Sequence, residues 1–223
     1  MVLTFLGGKG RGNGTTAAAF RELQLVRGYW EGLRAEHGAI PPRSAVDPRG
    51  LAAALDHVFV AEKIGTGLIR LRIAGMGLTD LAGLDMKGLP LSTIFLPEAR
   101  LRLAQVIERV FALPVAAEFH LEAERTIGRP ALEGRLLLLP LTSTGQNCDL
   151  VLGVLKTEGQ IGRAPRRFDI ARVIEERLVL PGTGAEAPDP AHPPAPAFAE
   201  DPAPLAPRPV KGRPHLRLVH SVD

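Results

Sequence analysis

A single cysteine, Cys148, leaves nothing for it to pair with inside the chain. An intramolecular disulfide is excluded, and a reducing compartment fits. Aromatic residues are also scarce, at 4% of 223 residues, so any core must be built from Leu, Val, Ile and Ala. No apolar run is long enough to cross a bilayer. The first residues lack the basic region and long apolar stretch of a secretion signal. Charge of one sign is missing too. The net formal charge is only +3, which gives little electrostatic support to a nucleic-acid role. These absences lead us to expect a cytoplasmic protein that engages neither membrane nor nucleic acid.

A nucleotide loop is the next thing missing. The chain opens "MVLTFLGGKGRGNGTTAAAF", which has the glycines of a phosphate-binding turn. Lys9 is followed by no Ser or Thr, so the Walker spacing fails. Gly12, Gly14 and Ala17 match a dinucleotide fingerprint in part. That fingerprint needs a second parallel strand soon after the helix, and "HGAIPPRSAVDP" is a poor strand. We read residues 1–15 as a flexible glycine-rich lead. The alternative is an enzyme that uses this loop with a nucleotide.

What is abundant is 45% apolar content, enough for a real core, and proline at one end. Residues 181–223 hold eleven of the 20 prolines, in runs such as "AHPPAPAF". Such a composition cannot bury enough surface to offset its ordering entropy, which predicts a disordered tail. Within it, Leu216 and Leu218 among basic residues look like a short motif able to add to a sheet edge.

Between the two ends the periodicities are legible. Phe20, Leu23, Val26, Trp30 and Leu33 share one stripe, predicting an amphipathic helix over 16–38 that Gly38 and two prolines end. Asp47 and Pro48 read as the cap and first position of a second helix. "HVFVAEKI" and "LIRLRIAG" alternate about a "GTG" turn, as in a hairpin. Short helical pieces follow, then a longer helix from Pro97 on which Leu103, Val106, Ile107 and Val110 share a face. Three strand candidates come next: "VAAEFHLEAE", "ALEGRLLLLPL" and "DLVLGVLK". "FDIARVIEERL" reads as a short helix after a basic linker, over 161–180. The order argues α+β, with a five-stranded antiparallel sheet and helices on one face, over 39–160.

The resemblance extends beyond layout. The stretches "YWEGLR", "PRSAVDPRGL", "HVFVAEKI", "RLRIAGMGLTDLAGLDMKGLPL", "GRPALEGRLLLLPL" and "IGRAPRRFDI" are similar to those of a bacterial family of single-PAS-domain proteins, PAS type 5, abundant in alphaproteobacteria. The likeness covers about residues 16–175. It implies the PAS fold and a sensory or regulatory role through protein contact, rather than catalysis.

Several site expectations follow. In "RLLLLPL" and "DLVLGVLK" both faces are apolar, so the sheet needs cover on two sides. We expect a homodimer, or another protein partner, through the outer face and the residues Phe20, Leu23, Trp30 and Leu33. The alternative is that the N-terminal helix folds back over its own sheet. A small ligand, if one is held, would be lined by Phe59, Ile69, Leu71, Ile73, Met76, Leu78, Leu81, Leu84, Met86, Ile94, Phe95, Ile107 and Phe119, which also suit a closed core. The cofactor is unknown and none is expected. Haem is disfavoured because no His lies on the helices between 75 and 113. Covalent flavin is disfavoured because Cys148 sits at a strand start, and Asp149 beside it opposes a reactive thiolate. Glu118, Glu122 and Glu124 read as a solvated face paired with Arg129 or Arg135, not as catalytic carboxylates, and no metal set is apparent. Arg163, Arg166 and Arg167 read as a solvated linker or a surface for an acidic partner.

Overall fold

The structure is a computed structural model and describes residues 19–113, 115–143 and 147–178. The glycine-rich lead, the proline-rich tail and the motif at Leu216 and Leu218 lie outside the described residues.

The first helix, α1, runs Arg21–His37 and stops at Gly38, whose φ of 61° is a left-handed value that favours glycine. Two 3₁₀ segments follow, Arg43–Ala45 and Pro48–His57. The Asp47 carboxylate caps the second by accepting from the Arg49 N–H at 2.9 Å. The hairpin strands are β1 (Val58–Gly65) and β2 (Leu68–Ala74). The turn between them uses Gly67 at φ 64°, and the Gly67 N–H donates to the Glu108 carboxylate. Then come α2 (Met76–Ala82), a 3₁₀ turn (Leu91–Ile94) and α3 (Pro97–Ala112). The remaining strands are β3 (Val115–Ala123), β4 (Leu132–Thr142), β5 (Cys148–Gly159) and β6 (Phe168–Arg177).

The six strands among the described residues form one antiparallel sheet in the order β2-β1-β5-β4-β3-β6. The sequence led us to expect five strands and a short helix at "FDIARVIEERL". That segment is instead β6, paired along the whole of β3. An open β3 edge offers a row of unmet backbone groups, and Phe168 and Ile170 can be buried only by pairing there. The folded unit therefore reaches Leu178, past the boundary expected at residue 160.

The sheet separates two apolar clusters. On its inner face, α2, the 3₁₀ turn Leu91–Ile94 and α3 pack over Phe59, Leu71, Phe119, Leu136, Leu138 and Phe168. On its outer face, α1 packs Phe20, Leu23, Val26 and Trp30 over Leu137, Leu139, Leu141, Leu152 and Val154. Both faces of the apolar stretches Leu136–Leu141 of β4 and Val151–Leu155 of β5 are thus covered, the outer one by the chain's own N-terminal helix.

Candidate functional site

The first candidate is the interior between sheet and helices. Phe59, Ile69, Leu71, Leu78, Leu81, Met86, Ile94, Phe95, Ile107 and Phe119 are all buried in the inner cluster. They fill it closely. The far end of the Phe59 ring lies so close to Gly153 that a Cβ there would stand 2.0 Å from it. The only buried polar or charged residues among those described are Thr142 and Arg166; Arg166 adjoins the cluster at Leu81, and its guanidinium is bonded to the Ile161, Glu124 and Pro130 carbonyls. An apolar interior offers shape to a ligand but nothing to orient a polar one.

Three expected lining residues are elsewhere. Ile73 is 50% exposed and Met76 63%, and Leu84 also faces solvent. The cause at Ile73 is a bulge: Val60 pairs with Ile73 but Ala61 with Leu71, so Arg72 is skipped and the alternation changes phase. Ile73 then sits beside Val60 on the outer face, at the sheet edge. Met76 is the first residue of α2, and Leu84 lies just past its end.

The stripe expected to meet a second copy is spent inside the chain. Phe20, Leu23 and Trp30 are buried on the chain's own sheet, and Leu33 packs beside them. The Trp30 indole donates to the Pro140 carbonyl at 2.9 Å. Proline has no N–H, but its carbonyl still needs a donor, and Trp30 supplies it. The helix is also held by charge: Glu22 to Lys156 at 3.0 Å, and Arg27 to Glu176 on β6. A homodimer would have to use other residues.

The second candidate lies on the same outer face, beyond the start of α1. Strand register sets the side chains in rows. Arg172, His120, Arg135 and Lys156 are neighbours across β6, β3, β4 and β5. One step further along, Asp169, Glu122, Glu133 and Glu158 are neighbours in the same way. A cleft of about 180 Å³ opens here, lined by His120, Glu122, Glu133, Arg135 and Arg172, with Phe20 closing its α1 side.

The two rows differ in how they are met. Arg135 donates to Glu118 at 2.8 Å and its guanidinium lies 5.0 Å from the Phe20 ring centre. Lys156 is held between Glu22 and the His57 ring, whose Nε2 is 3.1 Å away. The four carboxylates of the other row are exposed and form no ion pair among the described residues. Like charges directly opposite one another across strands repel, so this row works against the fold's own stability. Sequence spacing places Glu118, Glu122 and Glu124 on a strand, but only the register shows Glu122 facing Asp169 and Glu133.

Burial and the nearby Arg135 push the His120 pKa below its ordinary value, and burial with Lys156 does the same to His57. Neither imidazole belongs to the interior: His120 stands on the outer face, and His57 meets Lys156 at the end of the sheet. Cys148 begins β5, and burial, with Asp149, pushes its thiol up to about 11. Such a thiol is a weak nucleophile at neutral pH.

In the basic segment 163–167, Arg163 and Arg167 are exposed, as a solvated linker would have them, but Arg166 is not. Arg166 is fully buried. Its guanidinium donates to the carbonyls of Ile161, Pro130 at 2.7 Å and Glu124 at 3.1 Å, and its backbone N–H to Leu81 at 2.7 Å. The side chain ties the β3–β4 and β5–β6 connections together where the chain turns into β6, and the backbone N–H adds α2.

No helix among the described residues is long and apolar enough to cross a membrane. No curated protein matches the sequence. The family model described as "PAS domain" matches residues 19–156, from the start of α1 through most of β5, and stops before β6. With an antiparallel sheet, inner helices and a match over more than half its length, this chain belongs to the PAS domain family.

Proposed function

We propose that this protein is a regulatory PAS module that works by protein–protein contact, without a catalytic step of its own. Family membership supports a sensory or regulatory role in general terms. One observation favours contact over small-molecule sensing: the interior is packed with apolar side chains, down to a Phe59 ring lying against Gly153, whereas the outer face carries an unneutralised charged surface. A charged surface that the described fold leaves unneutralised is the better place to seek function. The contact surface in this reading is the charged part of the outer face beside Phe20, and the partner is a protein presenting basic groups.

The test has two arms. Affinity capture with the whole chain, compared with a Glu122→Lys/Glu133→Lys variant that melts like the parent, should show one or more proteins lost with the variant. Native mass spectrometry of the chain as isolated should give the polypeptide mass alone. Identical captured sets, or a small molecule retained in stoichiometric amount, would overturn this reading.

A further inference from the structure

Part of the sheet's outer face is left uncovered by the described residues, and the chain itself carries a segment of complementary chemistry that leads into Phe20 beside it. The uncovered part is the row Asp169–Glu122–Glu133–Glu158 and the adjoining cleft. Four strands at about 4.8 Å spacing make this row roughly 14 Å wide. The chain enters α1 through Phe20, which lines the same cleft. The eighteen residues before the described fold contain Lys9 and Arg11 and no acidic residue.

We infer that the segment around Gly7–Gly14, "GGKGRGNG", docks in cis across this acidic row, with Lys9 and Arg11 against its carboxylates. Reach allows it. Arg11 is nine residues before Phe20, and an extended chain of that length spans about 30 Å. Composition suits it as well: five glycines let a backbone lie close to a sheet surface without a Cβ in the way. Tethering makes the encounter intramolecular, so weak individual ion pairs suffice.

A second copy fits this face less well. A two-fold pairing would have to bring basic rows onto acidic ones, but Arg135 and Lys156 are already held by Glu118 and Glu22. A docked lead would cover the surface assigned above to a partner and so compete with it. That regulatory meaning rests on the proposed function; the docking itself does not, and it is read on the purified chain alone.

Trypsin cuts after Lys9 and Arg11, and the whole chain supplies the substrate. Docking slows both cuts. In a Glu122→Gln/Glu133→Gln variant, or in about 0.5 M salt, cleavage should be roughly tenfold faster, the effect of losing a few exposed ion pairs. The variant keeps its fold, because removing opposed carboxylates relieves repulsion. A zero-length carbodiimide link between Lys9 and Glu122 or Glu133, recovered in monomer, should vanish in the variant. Equal cleavage rates, or absence of the link, overturns the inference. Protection that disappears on dilution, or links found only between isotopically distinct copies, assigns the face to a second chain and overturns it equally.

Discussion

At the scale of single residues, the interior tolerates very little. Gly153 faces Phe59 across paired strands, and its missing side chain is the space the ring occupies. Gly153→Ala should therefore force the ring aside and destabilise the fold by about 1–3 kcal/mol, read from the urea midpoint. An unchanged midpoint would mean that the interior holds room for something else, and the protein-contact reading would lose its main support. The sequence makes the apolar membership of this cluster legible, because Phe59, Leu71 and Phe119 obey the alternation of their strands. Ile73 is illegible for a local reason: the skipped Arg72 shifts the phase, and no feature of "RLRIAG" announces it. Arg166 is similarly hidden, since a guanidinium fastened on carbonyls of distant loops reads in sequence as one more surface cation.

At the scale of elements, the instructive one is β6. Its sequence looks helical because a register shift near His120 and Leu121 interrupts the alternation: Arg172 pairs with His120 and Ile170 with Leu121, skipping Ala171. What makes it a strand is the open edge of β3, a tertiary fact absent from the local sequence. The same edge decides a second outcome. A chain ending at residue 160 would lose Phe168, Ile170 and Arg166, and would leave the outer edge of β3 unpaired. It should melt far below the parent, or associate, as size-exclusion chromatography would show. A chain ending at residue 178 should melt within about 2 °C of the parent. Similar melting of both would show that β6 is dispensable. The helix α1 is the opposite case. Its stripe is plain in the sequence, and only its destination, own sheet or another chain, needed the structure.

At the scale of the whole molecule, pH links the layers. His57 and His120 both have pKa values below 6.5 in the fold, the first through burial and Lys156, the second through burial and Arg135. Around His57 stand Lys156, Glu22 and Asp56; around His120 stand Arg135, Arg172 and Glu118. In the unfolded chain both imidazoles bind protons more readily, so stability rises with pH through this range. It is lost as pH falls below about 6.5 toward the folded values. Thermal melts between about pH 7.5 and 5.5 should show that slope, and His57→Gln/His120→Gln should flatten it. A slope unaffected by the double change would place its origin elsewhere. A separate loss belongs at more acid pH. Glu62, Glu108 and Glu175 are held below 4.5 by Arg70, the Gly67 N–H and Arg109 respectively, so their contributions persist until those carboxylates protonate.

The sheet stands between two greasy compartments that do not merge. A loosened α1 would therefore spill only the outer one, baring Leu137, Leu139 and Leu152 while the inner helices keep their seats. The molecule thus has a natural first place to come apart, on the side where its N-terminal segment begins.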